Sequence, residues 1–315
     1  MKKLSFVIPC YRSEKTIGSV IDEIHETVTA DGRYDYEVIL VNDSSPDGVF
    51  KKIEEISKQN PRVLGVDLSK NFGQHSALMA GFSRVTGDIV VALDDDGQTP
   101  ANEMFRLIDA LDEKYDLVFA EYKNKMHSGF RNFGSKVNDM MARILIGKPK
   151  KLKIMSYFAC KRYVIDEVLR YENPYAYISG LLLRATNKVR NVEVEHRERL
   201  DGTSGYTMKK LMLLWLNGFT AFSVKPLRIA TVLGFITAAV GFLYGIYTII
   251  HKLFINPAAP MGYSSTMAVL LFLGGMLMLI LGMVGEYVGR IYLSINRSPQ
   301  YVIRRTVGRG EKDEE

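Results

Sequence analysis

The chain has 315 residues, 47% of them hydrophobic, and a formal net charge of +6. That length fits one large domain with an appendage or two modest domains. The hydrophobic content is normal for a globular protein, but the apolar residues crowd together after residue 225, so the average conceals a membrane segment. Cys10 and Cys160 are the only cysteines, which excludes a disulfide scaffold or a cysteine metal cluster and fits a reducing, cytosolic setting. The basic charge does not imply a nucleic-acid partner, because there is no zinc-finger spacing, no basic recognition helix and no aromatic RNA-binding signature. Instead Lys209, Lys210, Lys225 and Arg228 precede the apolar stretches, and Arg290, Arg297, Arg304, Arg305 and Arg309 follow them, a placement expected beside a lipid bilayer.

In chain order, Met1-Lys2-Lys3 runs directly into the strand-like Leu4–Ile8, too short for a signal-peptide core, so the first domain is expected to stay in the cytosol. A helical pattern near Thr16–Val28, a strand at Glu37–Val41, a helix at Val49–Ser57 and a strand at Val63–Leu68 follow. This rhythm predicts a mostly parallel sheet flanked by helices. A helix over Gln74–Val85, stopped by Gly87, and a strand over Asp88–Leu93 continue it. Ligands of such sheets sit beyond the C-terminal ends of the strands, where Asn42-Asp43-Ser44-Ser45 and Asp94-Asp95-Asp96 both fall.

The stretch Ile229–Ile250 carries no formal charge and, at about 1.5 Å per residue, covers the roughly 30 Å hydrocarbon core. A second apolar run, Thr266–Gly285, follows Asn256-Pro257 and Pro260, so the two form a hairpin. Two buried core helices are the alternative, but nothing else in the C-terminal part is available to cover them. Lys and Arg are concentrated on both outer flanks, so the positive-inside rule places the active domain and both termini in the cytosol. Between domain and hairpin, Met208, Leu211, Met212, Trp215, Phe219 and Phe222 recur at helical spacing, as in a helix lying at the bilayer interface or packed on the first domain.

Strand alternation, if it persists to the end of the strand, puts Asp94 and Asp96 on one side, where both can approach one divalent cation. Mg²⁺ or Mn²⁺ takes oxygen ligands, some from protein and the rest from phosphate and water. Three consecutive aspartates alone also describe a solvated turn; their position after an apolar strand favours the metal site.

Val7-Ile8-Pro9-Cys10-Tyr11, Ile39–Asp47 and Gly87–Gln98 together resemble the family 2 inverting glycosyltransferases. Asn71–Phe82 narrows the resemblance to the polyprenyl-phosphate subgroup, which includes dolichol-phosphate mannose synthases, bactoprenol glucosyltransferases and the undecaprenyl-phosphate formamidoarabinose transferase. His196–Arg199, Gly202–Tyr206, Pro226–Arg228 and Gly285–Tyr292 extend it over nearly the whole chain. It implies an α/β nucleotide-sugar-binding domain over residues 1–205, an interfacial segment over 206–226, a transmembrane hairpin over 227–290 and a cytosolic basic tail over 291–315.

The resemblance also implies roles for individual residues. Asp43 would read the uracil ring in a pocket lined by Pro9 and Tyr11, and Asp94 and Asp96 would form the metal and diphosphate motif, with Asp95 in its middle and Gln98 beside it. Arg131 would lie near the phosphates, and Arg199, Ser204 and Tyr206 would receive the lipid phosphate. The expected reaction takes a sugar from a UDP-sugar to undecaprenyl phosphate or a related polyprenyl phosphate at the inner membrane, in a homo-oligomer that the resemblance makes a tetramer.

Three departures stand out. Many relatives carry an acidic residue shortly before Ser156–Arg162, whereas this chain has Lys151-Leu152-Lys153-Ile154-Met155, which puts a protein general base in doubt. Asn42 stands where many have Asp, and Arg12-Ser13 where many have Asn-Glu. His75 and His196 are expected in helix capping and loop hydrogen bonding rather than acid–base work. A processive polysaccharide synthase is disfavoured by the absence of Gln-x-x-Arg-Trp, and a flippase subunit by the lack of charge within the spans. A catalytically inactive nucleotide-sugar-binding protein is disfavoured by retention of Asp94 and Asp96.

Overall fold

The computed structural model describes residues 1–122, 143, 148–174, 176–195, 225–251, 254, 262–296 and 298–308. They fall into two compact units, one within Met1–Trp215 and Arg297–Glu315, the other within Leu216–Asn296.

The first unit is built on an eight-stranded sheet. Its strands are β1 (Lys2–Cys10), β2 (Tyr34–Asn42), β3 (Val63–Leu68), β4 (Ile89–Ala92), β5 (Leu117–Tyr122), β6 (Phe158–Lys161), β7 (Val189–Val194) and β8 (Ile303–Gly308), in the spatial order β7-β5-β6-β4-β1-β2-β3-β8. β1 is parallel to both β2 and β4, and β2 to β3. From Leu4 onward β1 is buried on both faces, which accounts for its near-continuous apolar run where an alternating one would mark a half-exposed strand. The helices are α1 (Ile17–Asp31), α2 (Val49–Gln59), α3 (Gln74–Phe82), α4 (Met104–Ile108), α5 (Arg162–Leu169) and α6 (Ile178–Ala185).

Helix α1 buries Ile17, Val20, Ile21, Ile24 and Val28 along one stripe and stops at Gly32, whose left-handed φ of 68° returns its N–H to Val28 O. Helix α3 is shorter than the apolar pattern implies, ending at Phe82 rather than Val85. Gly87 is therefore not its stop: its N–H donates to Ser5 Oγ at 2.8 Å as the chain enters β4. Gly81 lets α3 settle on the sheet, because a Cβ there would overlap Val7 Cγ1 and lie 3.1 Å from Val41 Cγ2. Full burial of Phe6, Ile8, Ile24, Leu40 and Ile53 stabilises this unit by about 1.5–3 kcal/mol per side chain.

After β3 the chain crosses back to place β4 on the far side of β1. The reversal opens a crevice beyond the C-terminal ends of β1 and β4, where doubly wound sheets bind ligands. The strand β8, in the stretch expected to be only a basic tail, lies antiparallel against β3 at the sheet edge.

The second unit is a pair of helices, α7 (Lys225–Ile250) and α8 (Tyr263–Ile295), in which Thr237 Oγ1 donates to Met276 Sδ at 3.3 Å. Both are long and apolar enough to cross a membrane, and their apolar windows are only 6% and 0% buried. Core helices of a soluble protein would be mostly covered, and the described residues of these two are not.

Candidate active site

Strand β4 ends at Ala92, so the alternation expected to align Asp94 with Asp96 does not reach them; Asp95 and Asp96 lie in a turn closed by Gly97 at φ 74°. Hydrogen bonds orient the three carboxylates instead. Asp94 accepts from Gln74 Nε2 at 3.1 Å on Oδ1 and from Ser156 Oγ at 2.5 Å on Oδ2. Asp95 turns toward β1 and accepts the Tyr11 amide at 2.9 Å. Asp96 accepts the Gln98 amide at 3.0 Å. Thr16, at the N-cap of α1, makes no side-chain cap bond; its hydroxyl donates to Asp95 O at 2.7 Å and ties α1 to the same turn.

The local charge is strongly negative. Burial, together with repulsion from Asp94 and Asp96 and against the Tyr11 amide, pushes the Asp95 carboxyl up to about 6. Burial raises the Tyr122 phenol, at the end of β5, and the charges of Asp94 and Asp96 raise it further. Among the described residues no group of three or more acidic, His or Cys side chains forms a complete metal cage. Two carboxylates in a half-buried, mutually repelling cluster are nonetheless the hard oxygen donors that a phosphate-associated Mg²⁺ or Mn²⁺ takes from protein, and such a cation would relieve the repulsion.

Across the crevice, Asp43 follows β2 and is buried, and burial raises its carboxyl against the two amides it accepts, Phe72 N–H at 2.7 Å and Gly73 N–H at 2.8 Å. A carboxylate has about four acceptor positions, so Asp43 keeps acceptor capacity for a ring N–H. Pro9 is in β1 and Tyr11 just beyond it, the latter 44% exposed with the Arg12 guanidinium 5.5 Å from its ring. Among the described residues, Arg12 and Ser44 are the non-glycine ones with positive φ, at 59° and 48°. Strain of this kind costs about 1–2 kcal/mol per residue and is held here by Arg12 N–H to Ser45 Oγ at 2.8 Å and Ser45 N–H to Asn42 Oδ1 at 3.1 Å.

Pro9, Tyr11, Asp43, Asp94, Asp95, Asp96 and Gln98 thus all lie at or beyond the C-terminal ends of β1, β2 and β4. Arg131, Arg199, Ser204, Tyr206 and His196 lie outside the described residues. Gln74, Tyr122 and Ser156 were not singled out from sequence. Gln74 stands inside a motif that carries the family resemblance and Ser156 just after the segment that lacks the family's acidic residue, but their partner Asp94 is distant in sequence. His75 does not cap α3: its N-cap is Gly73, His75 Nδ1 is buried with no hydrogen-bond partner, and the ring meets Tyr177 edge-on at 5.3 Å. In place of an acidic residue, the segment before β6 is clamped by Asn191, which accepts Lys153 N–H at 2.8 Å and donates to Lys153 O at 2.6 Å, next to the Ser156 that reaches Asp94.

Residues 5–170 match glycosyl transferase family 2, and residues 225–291 match the GtrB C-terminal hairpin. Undecaprenyl-phosphate 4-deoxy-4-formamido-L-arabinose transferases from Klebsiella pneumoniae (strain 342) and Proteus mirabilis (strain HI4320) are each 33% identical, covering 99% and 98% of this chain and 95% of each relative. Among solved structures, glucosyl-3-phosphoglycerate synthase from Mycobacterium tuberculosis with uridine diphosphate superposes with a TM-score of 0.52 at 20% identity, covering 70% of this chain and 79% of that one. The same synthase with Mn²⁺, uridine diphosphate and phosphoglyceric acid gives 0.51 at 22%, covering 70% and 76%. The chain therefore belongs to glycosyl transferase family 2, and over nearly its whole length it is similar to members that transfer a sugar to undecaprenyl phosphate.

Proposed function

We propose that this glycosyltransferase moves a sugar, with inversion, from a UDP-sugar to a polyprenyl phosphate at the cytosolic face of the membrane. The observation that supports this reading is that Asp43 follows β2 and the Asp94–Asp96 turn follows β4 at the same end of the sheet, with the start of α3 bonded to both, Gly73 N–H to Asp43 and Gln74 Nε2 to Asp94. A nucleotide diphosphate needs that combination: an acceptor for the base and a negatively charged cluster that a cation bridges to the phosphates. The near-full-length undecaprenyl-phosphate transferases support the acceptor, and the uridine diphosphate and Mn²⁺ bound by the mycobacterial synthase support the donor and the metal.

In this reading Asp43 accepts the uracil N3–H, and Pro9, Tyr11, Asp95 and Gln98 line the donor pocket. Asp94 and Asp96 hold the cation, with Gln74 and Ser156 orienting Asp94. A cation held by Asp94 and Asp96, Mg²⁺ or Mn²⁺, would supply Lewis-acid neutralisation of the leaving diphosphate's charge. Arg131 sits toward the phosphates, and Arg199, Ser204 and Tyr206 receive the lipid phosphate. No protein base is required, because a phosphate monoester has a second pKa near 6 and brings its own nucleophilic oxygen at neutral pH. The helices α7 and α8 span the bilayer. Because β8, after α8, belongs to the same unit as β1–β7, both ends of the hairpin return to one side, and the flanking Lys and Arg make that side cytosolic. The protein works as a homo-oligomer, a tetramer by likeness to its subgroup.

The test is transfer to undecaprenyl phosphate in detergent from a panel of labelled UDP-sugars, with and without Mg²⁺ or Mn²⁺. Metal-dependent lipid product is expected from one donor, with Asp96→Asn lowering the rate by about 100-fold or more. No product from any donor sinks the reading, and full activity in Asp96→Asn sinks the assignment of that residue.

A further inference from the structure

Asp67, next to last in β3, is a buried carboxylate, its side chain only 4% exposed. Its Oδ1 accepts Asn42 Nδ2 at 2.7 Å, and its Oδ2 faces Arg304 Nη1 at 3.5 Å and Arg305 Nε at 3.9 Å, both on β8. A carboxylate out of water has to be paired to be tolerated, and the pairing here comes from a strand that enters the fold after the hairpin. Backbone pairing registers that strand: Asp67 lies opposite Arg305, and Ser69 N–H donates to Val302 O at 2.9 Å. Arg304 Nη2 also donates to Ser69 O at 2.9 Å, while Arg305 pairs with Glu54 at 2.9 Å and stacks on Phe50.

The chain of contacts continues into the crevice. Asn42, whose amide Asp67 orients, presents Oδ1 to the Ser45 amide, and Ser45 Oγ donates to Asp47 at 2.6 Å and accepts the Arg12 amide. Ser45 thus joins the two loops that hold the positive-φ residues Arg12 and Ser44, and Asp43 N–H donates to Cys10 O at 3.1 Å between them. Asn42 suits this role where an aspartate would not, because a carboxylate there would stand 2.7 Å from Asp67.

We propose that β8 is a positioning element of the donor site: Arg304, acting through Asp67 and Asn42, holds loop 42–47 in the conformation that receives the nucleotide. The proposal rests on the reading of Asp43 and its loop as the place of the donor base. It makes the segment after the hairpin part of the active domain's machinery rather than a solvated tail.

The experiment is calorimetric titration of the full-length protein in detergent with UDP and Mg²⁺, alongside thermal unfolding. Arg304→Ala is expected to weaken UDP about fivefold through loss of its ion pair with Asp67, with Arg304→Lys intermediate and Arg170→Ala, at the exposed C-cap after α5, unchanged. Asp67→Asn combined with Arg304→Ala should weaken UDP no more than Asp67→Asn alone, because both act through one contact. Wild-type affinity in Arg304→Ala overturns the proposal. So does a variant whose folded fraction and melting temperature fall while the affinity of the remaining folded protein is unchanged. Failure of the wild-type protein to bind UDP would instead reject the donor reading beneath it.

Discussion

Both oxygens of Asp94 are engaged by side chains from other parts of the fold, Gln74 at the start of α3 and Ser156 just before β6. Two such bonds fix the carboxylate plane, so any cation or diphosphate meets a pre-set ligand. Ser156→Ala removes a short hydroxyl–carboxylate bond worth about 1–2 kcal/mol, and a 5- to 30-fold fall in kcat/KM with little change in melting temperature is expected in the lipid-transfer assay. His75 illustrates a different residue-scale effect. Burial lowers its pKa from 6.5 to about 4, so the folded protein holds the ring neutral where the unfolded chain would protonate it. That contribution is complete above pH 6.5 and is lost as pH falls toward 4. His75→Phe, which keeps the edge contact with Tyr177, should therefore flatten stability between these pH values by about 1–2 kcal/mol, read as melting temperature at pH 7 and pH 5.

The elements are joined at the other end of the sheet by a buried polar knot. Glu37 on β2 accepts from Lys3 and Ser5 of β1, both at 2.6 Å, and from the Thr86 amide and hydroxyl at 2.6 and 2.8 Å just before β4. Burial would raise its carboxyl, but these donors together hold it below 4.5. Its stabilisation is thus present above pH 4.5 and lost as pH falls through the depressed value. Glu37→Gln should cost about 2–4 kcal/mol at pH 7, measured by denaturant unfolding, because Lys3 is left partly buried without its counter-charge. Glu37 looks like one more strand residue in sequence, since its partners at positions 3, 5 and 86 come together only when β1, β2 and β4 align. The alternation of strands and helices from β1 to β4 was legible because each element carries its own periodicity, and the local rule failed where packing intervened. Helix α3 stops at Phe82, and β4 ends at Ala92, two residues short of Asp94.

At the scale of the molecule, the apolar helices α7 and α8 leave one compact unit, and the chain returns to it as β8. A membrane-impermeant thiol reagent applied to intact cells should label Ala258→Cys and not Lys312→Cys, which should react only after lysis; the reverse pattern would reject the two-span topology with a cytosolic active domain. The native thiols should give little background, because Cys10 and Cys160 are both buried and burial raises their pKa.

Composition and periodicity alone determined the α/β order, the two apolar spans and the candidate acidic run, because each is written in consecutive residues whose hydrophobicity and charge do not depend on distant partners. Tertiary structure decided the rest: that Gln74 and Ser156 orient Asp94, that Asp95 turns away to Tyr11, and that the basic tail is an edge strand whose Arg304 reaches Asp67. These are contacts between residues tens to hundreds of positions apart, and hydrogen-bond direction over about 3 Å is set by how strands and helices pack, which no local pattern encodes.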